Sequence, residues 1–305
     1  MTPKPSRRAL LAGMLAAGLW PLLPDPLRAM GMHFRTIPSS GEAIPAIGMG
    51  TWLTFDVGDD AEALRVRTDV LRTFFAAGGG MIDSSPMYGS SEQVVGRCLE
   101  RLGYPGGLIS ATKVWTPLQF HGHMQIEQSF DLWGLERFDL IQVHNLVAWE
   151  AQLETLRQLR SDGRLRYIGV TTSHGRRHDE LERILRSEPL DFVQLTYNVL
   201  DREAESRLLP LAAERGTAVI VNRPFRRGAL FDRFGRYPLP PWAVEIEARN
   251  WAQFFLKFIL SHPAVTCAIP ATRRVDHMAE NMGALAGPLP GRRMRAQMVD
   301  YLTGL

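Results

Sequence analysis

Met81-Ile82-Asp83-Ser84-Ser85-Pro86-Met87-Tyr88-Gly89 is the stretch on which the fold of this 305-residue chain turns. Two apolar residues run into a carboxylate, and a phenol follows five positions later behind a Ser-Ser-Pro turn. A buried strand that delivers polar groups at its C-terminal end has this pattern, and in alternating α/β folds active sites sit at such ends. Gly78, Gly79 and Gly80 precede the stretch and stop a helical pattern over residues 60–77. In that pattern Leu64, Val70, Leu71, Phe74 and Phe75 recur at helical spacing.

Outward from this strand the rhythm repeats. Short apolar runs at 48–52, 81–84, 108–113, 140–144, 167–171, 192–197, 218–221 and 266–269 read as strands, with helical patterns between them. Eight near-continuously apolar strands alternating with helices predict a parallel sheet covered by helices, and the count favours a (β/α)8 TIM barrel over an open doubly wound sheet. No G-x-G-x-x-G follows the first of these strands, which removes the fingerprint a dinucleotide-binding open sheet needs there. Residues 33–47 read as an N-terminal β-hairpin around Ser39-Ser40-Gly41. The Gly- and Pro-rich segment 226–242 reads as a long loop over the barrel mouth.

Charge narrows the function classes. Lys4, Arg7, Arg8 and Arg28 against Asp25 account for the whole net charge of +3, so residues 30–305 are balanced and show no polyanion footprint. Nucleic acid is therefore not an expected partner. Residues 1–29 read as an export signal. Arg7 and Arg8 precede an uncharged apolar run over 9–20, and Leu27-Arg28-Ala29 offers a small residue for cleavage. The arginine pair resembles a twin-arginine translocation signal, which predicts the export machinery as a partner and a periplasmic location. The alternatives are a Sec leader, a retained membrane anchor or a cytoplasmic protein; the run is shorter than the ~20 residues a span needs. Cys98 and Cys267 read as buried thiols, and neither a CxxC nor a suitably spaced His suggests a metal.

Asp83, Tyr88, Lys113 and His144 fall at or just beyond the ends of three successive strands, so a barrel brings them to one mouth. Taken singly, each has a plainer reading: a cap, a packing ring, a solvated loop charge. Together they suit proton transfer at an alcohol or carbonyl oxygen. Lys113 is expected to lower the Tyr88 pKa from its ordinary value of ~10, with Asp83 holding Lys113 and His144 orienting the oxygen. This set contains no hydride source.

These residues carry a resemblance. The chain resembles the aldo-keto reductase family through Gly48-x-Gly50-Thr51-Trp52, Asp83-x-x-x-x-Tyr88-Gly89, Glu92-x-x-x-Gly96 and Thr112-Lys113-x-Trp115. Gln142-x-His144, Ile168-Gly169-Val170, Gln194-x-x-Tyr197-Asn198, and Ile269-Pro270 with Glu280-Asn281 continue it in family order. The resemblance implies a barrel over 30–305 that reduces aldehydes, ketones or sugar-derived carbonyls with NADP(H). Tyr88 is then the general acid, Lys113 and Asp83 its tuning pair, and His144 the orienter. It implies Thr171, Thr172, Gln194 and Asn222 around the nicotinamide, Thr272, Arg273 and Arg274 at the phosphate, and Glu280 and Asn281 near the adenine. Trp52 and Trp115 are expected to line the substrate pocket of a monomer acting on a small molecule. Three positions depart from the family pattern: Thr171-Thr172 replaces a Ser-Asn pair, Asn222 replaces a stacking aromatic, and His277 replaces an arginine. A non-catalytic, sensory barrel holding the nucleotide as a tight ligand is the alternative.

Overall fold

The structure, a computed structural model, describes residues 31–305; the expected export signal lies outside the described residues. Phe34–Thr36 (β1) and Ala43–Pro45 (β2) pair antiparallel with Phe34 opposite Pro45, which is the expected hairpin. Met49–Gly50 (β3), Met81–Asp83 (β4), Ile109–Val114 (β5), Phe138–Val143 (β6), Leu165–Thr171 (β7), Phe192–Thr196 (β8), Ala218–Asn222 (β9) and Cys267–Ala268 (β10) then form one parallel sheet in sequence order. Parallel bridges from Ile47 to Ala268 and from Gly50 to Ala271 join its two ends, so the sheet closes into the predicted barrel.

The helices between the strands form the outer layer. Ala61–Ala76 (α1) starts at Asp60, whose side chain accepts from the Ala63 N–H and satisfies one of the free donors of the first turn. Ser91–Leu102 (α2) and Gln119–Trp133 (α3) both stop at a glycine in the left-handed region, Gly103 and Gly134, where a side chain would be strained. Trp149–Ser161 (α4), His178–Ser187 (α5), Leu208–Glu214 (α6), Ala229–Phe234 (α7), Trp251–Leu260 (α8), Val275–Met282 (α9) and Arg292–Thr303 (α10) complete the series. The helix α7 corrects the expectation of a plain loop over 226–242. Leu230 and Phe234 bury, and Phe231 packs on Phe225 at 4.8 Å, which draws the segment into a helical turn.

Two cores result. One lies between the sheet and the helices, with Phe74, Trp133, Phe138 and Phe254 wholly buried. The other fills the barrel interior, where Met81, Ala111, Leu140, Phe192, Ile220 and Cys267 meet Ile37 and Ile44 from the hairpin. The hairpin thus plugs the N-terminal end, and the C-terminal end is left for polar groups. Cys98 and Cys267 are free and buried, as expected.

Candidate active site

A cavity of about 460 Å³ opens at the C-terminal ends of the strands and is lined by Trp52, Asp83, Tyr88, His144, Thr171, Thr172, Gln194 and Asn222, among others. The parallel register sets Asp83 of β4 beside Ala111 of β5, and Lys113 of β5 beside Gln142 of β6. Lys113 is fully buried, and its Nζ donates to Asp83 Oδ2 at 2.6 Å and to the Ser84 carbonyl at 2.7 Å. Its ammonium lies 5.2 Å from the Tyr88 ring centre, and its charge acts on the phenol. On its other oxygen, Asp83 accepts from Gln194 at 2.9 Å and Gln142 at 3.2 Å.

Burying two such groups costs several kcal/mol each after relaxation, and an apolar pair of the same size is often as stable or more so. The pair is therefore poorly explained by stability, and its contact with the Tyr88 phenol points to chemistry. Burial disfavours charge on Lys113, yet Asp83 and then Tyr88 outweigh it and hold the ammonium above its usual pKa. Burial raises the Tyr88 pKa, and Lys113 opposes the rise only in part. That corrects the expected direction: the phenol stays protonated and is a proton donor.

His144, 6% exposed, sits edge-on to Tyr88 with ring centres 5.7 Å apart. Burial, and then the Lys113 charge, push its pKa well below the ordinary imidazole value, so the ring is neutral. Its Nδ1 lies 2.9 Å from Ser85 Oγ, which also accepts from the Met87 N–H. Among the described residues, His144 Nδ1 is the one acceptor within hydrogen-bond reach of the buried Ser85 hydroxyl, so donation from Ser85 to Nδ1 leaves no buried proton unpaired. A neutral ring that accepts at Nδ1 carries its proton on Nε2. Tyr88 and His144 are thus two neutral donors in one cavity.

A supporting network sits behind them. Glu92 of α2, 2% exposed, accepts from Thr112 of β5 at 2.5 Å, from Ser129 of α3 at 3.0 Å and from Trp133 at 3.1 Å. It ties two helices to the strand that carries Lys113, and burial raises its pKa. Gly96 lets α2 approach α3, because a Cβ there would lie 1.9 Å from the Leu132 carbonyl oxygen.

The remaining expected residues divide into two groups. On the cavity wall, Thr171 Oγ1 accepts from the Asn145 N–H, and Asn222 donates to the Thr172 carbonyl at 2.8 Å and to Gln194 Oε1 at 3.3 Å. The Thr172 hydroxyl is buried without a partner. Thr272, Arg273, Arg274, Glu280 and Asn281 lie outside the cavity lining, on the turn after β10 and on α9. Arg274 pairs with Asp276 at 2.5 Å, while Thr272 Oγ1 accepts from the Arg274 N–H. Trp52 lines the cavity, but Trp115 does not: it is 42% exposed, and its N–H is used by Gln125. Sequence reasoning missed Ser85, for which D-S-S carries no distinguishing signal. It also missed the mouth residues His174, Arg223 and Arg227, legible only as loop charges.

Comparison with known proteins agrees with the barrel fold. Aldo-keto reductase YhdN of Bacillus subtilis is 28% identical over 214 residues, 65% of this chain and 64% of that protein, slightly under two thirds of its length. L-glyceraldehyde 3-phosphate reductase of Escherichia coli is 27% identical over 86% of this chain and 90% of the relative. An aldo-keto reductase of Klebsiella pneumoniae solved in complex with NADPH superposes with a TM-score of 0.74 at 24% identity, covering 89% of this chain and 96% of its own. The thermostable aldo-keto reductase Tm1743 superposes at 0.67 with 27% identity, covering 89% and 100%. The family model described as Aldo/keto reductase matches residues 46–241, and the chain belongs to that family.

Proposed function

We propose that this protein reduces small aldehydes, ketones or sugar-derived carbonyls to alcohols with NADP(H). The observation that carries the reading is the buried Asp83–Lys113 pair in contact with the Tyr88 phenol, beside the neutral His144. Tyr88 O–H and His144 Nε2–H bind and polarise a carbonyl oxygen from two sides, and Tyr88 passes its proton to that oxygen as it becomes an alkoxide. The Lys113 ammonium stabilises the phenolate left behind, and Asp83 keeps the ammonium in place.

Nicotinamide chemistry supplies the hydride when the nucleotide is bound. The wall fits such a group because the buried Thr172 hydroxyl is unsatisfied and waits for an amide-like partner. Thr171, Thr172, Gln194 and Asn222 would hold the nicotinamide end. Thr272, Arg273 and Arg274 would hold the phosphate and Glu280 with Asn281 the adenine. Solved relatives bound to NADP and NADPH support this choice. The test is Tyr88→Phe, expected to lower turnover about 10²- to 10⁴-fold on a carbonyl panel while NADPH titration still reports binding. Unchanged turnover sinks the reading.

A sensory barrel that holds the nucleotide without turnover is the second reading. Asn222 favours it, since its amide is spent on Thr172 and Gln194 and it offers no ring for stacking. We also propose that residues 1–29 form a twin-arginine signal that exports the folded chain to the periplasm, on the support of Arg7-Arg8 ahead of the apolar run. The described residues contain no helix long and apolar enough to cross a membrane. Replacing both arginines by lysine should trap the protein in the cytoplasm; normal export of that variant rejects the signal.

A further inference from the structure

A directed chain of hydrogen bonds runs behind the cavity wall and ends on Asp83. It starts at Thr196 of β8, which is 4% exposed and lies outside the cavity lining. The Thr196 hydroxyl accepts the His174 N–H at 3.0 Å and donates to Asn222 Oδ1 at 2.7 Å. Asn222 passes the direction on, since its Nδ2 donates to the Thr172 carbonyl at 2.8 Å and to Gln194 Oε1 at 3.3 Å. Gln194 Nε2 in turn donates to Asp83 Oδ1 at 2.9 Å. In sheet order β8 stands four strands from β4, so Gln194 reaches Asp83 from the opposite side of the cylinder.

The direction of each link follows from its partners. A carbonyl only accepts, so Thr172 holds the Asn222 amide nitrogen inward, and the Asp83 carboxylate that binds the Lys113 ammonium does the same for Gln194. Turned over, the Asn222 amide would set its oxygen against those of Thr172 and Gln194. Thr196 supplies the donor that keeps Asn222 Oδ1 in place. Without that hydroxyl the half-buried amide gains by turning to the open cavity, where water can reach it, and its nitrogen leaves Gln194. Asp83 depends on this branch because the other donor on Oδ1, Gln142, is longer at 3.2 Å and has its own Oε1 buried without a partner.

We propose that Thr196 is a positioning residue for the reduction: by orienting Asn222 it orients Gln194, and so fixes Asp83 and the Lys113 ammonium that Asp83 holds beside Tyr88. Lying outside the cavity, it acts only through these neighbours. Asn222, at a position without a stacking ring, thereby serves as the middle link of the chain. Aligned donors polarise one another, so the chain holds Asp83 more firmly than its links taken singly. The proposal rests on the reductase reading, and one arm of its test needs no turnover.

Thr196→Val keeps the shape of the side chain and removes the hydroxyl. In steady-state reduction of glyceraldehyde it should lower kcat about 3- to 10-fold, the equivalent of one hydrogen bond, with KM and the separately titrated NADPH affinity within about twofold of wild type. Thr196→Ser returns the hydroxyl and should restore kcat. In an Asn222→Leu background the chain is already cut, so adding Thr196→Val should change kcat no further, whereas a merely structural hydroxyl would add its loss in either background. The arm without turnover is nitrogen NMR of the side-chain amides, with the Gln194 signals identified by their loss in Gln194→Leu. Thr196→Val and Asn222→Leu should move those signals alike, and Thr196→Ser should leave them in place; Thr196→Ala carries the same comparisons if the valine variant does not fold. Wild-type kcat in Thr196→Val, additive losses in the double variant, or a loss wholly in NADPH affinity overturns the proposal and leaves the reductase reading standing. If wild type turns over no carbonyl, the reductase reading falls by itself, and the Gln194 signals decide the chain: moved by Thr196→Val they uphold it, unmoved they overturn it.

Discussion

Replacing Ser85 by Ala removes one buried oxygen and should disable His144 without touching substrate. The Ser85 hydroxyl is fully buried, lies 2.9 Å from His144 Nδ1 and accepts the Met87 N–H at 3.3 Å. Were the imidazole proton on Nδ1 instead, the hydroxyl hydrogen would be buried without an acceptor, at a cost of about 1–3 kcal/mol. Ser85 therefore biases the tautomer by that amount, and the bias puts the donor on Nε2. In the alanine variant the bias vanishes, Nδ1 loses its partner, and the ring is free to turn. Turnover should fall about 5- to 150-fold, the kinetic equivalent of about 1–3 kcal/mol. Stability should drop by about 1 kcal/mol. The deciding assay is nitrogen NMR of the imidazole, since the protonated nitrogen is read directly. Wild type should show Nε2 protonated and the variant a mixture, with Ser85→Thr restoring both tautomer and rate. A wild-type ring protonated at Nδ1 refutes the reasoning whatever the kinetics.

Other consequences are as direct. Lys113→Met strands Asp83 in the interior and should cost about 3–5 kcal/mol in urea unfolding, part of which Asp83→Asn in the same chain recovers, because Gln142 and Gln194 keep an acceptor; a single variant as stable as wild type contradicts the buried pair. Gly96→Ala should cost about 3 kcal/mol or more, since its Cβ meets the Leu132 backbone rather than a side chain that can turn away; an unchanged urea midpoint denies the close helix approach. Burial is the largest cause that lowers the pKa values of His33, His144, His174 and His262 below 6.5. Below that value the unfolded chain takes up protons that the folded chain refuses, so stability should fall as pH drops from about 7.5 to about 5.5. A urea midpoint that does not move over this window refutes the buried neutral imidazoles.

The barrel was legible because each strand is a run of apolar residues that needs no partner to be recognised, and because helix stops such as Gly78–Gly80 punctuate them. The four groups at the mouth followed from strand ends alone, since parallel closure puts every such end on one face. Side-chain aim was not legible. Lys113 reads in the sequence as an acidifying neighbour of Tyr88 and acts as one, but the sequence does not reveal the phenol's burial, which outweighs it. Trp115 follows its strand by one residue and still turns outward, because Gln125 of α3 binds its backbone at both ends. Residues 226–242 carry the prolines and glycines of a loop, but Phe231 and Phe234 find an aromatic neighbour on distant α8, Phe225 packs on Phe231, and a helix folds there.

The closure of the barrel has a mechanical meaning. Each adjacent pair from β4 to β9 shares at least three paired positions, whereas β3 and β10 are two residues long, pair with β4 and β9 at two positions each, and meet each other only through isolated bridges. That seam is a zip held by a few teeth, and Gly50, Ile269 and Ala271 on its upper edge also form the cavity wall. A ligand lying across them is a clasp on the weakest joint of the cylinder. Occupancy should then be felt as slower amide exchange at Gly48, Gly50 and Ala268, whose N–H groups cross the joint. In such a molecule, grip on the ligand and integrity of the wall are the same quantity measured at two places.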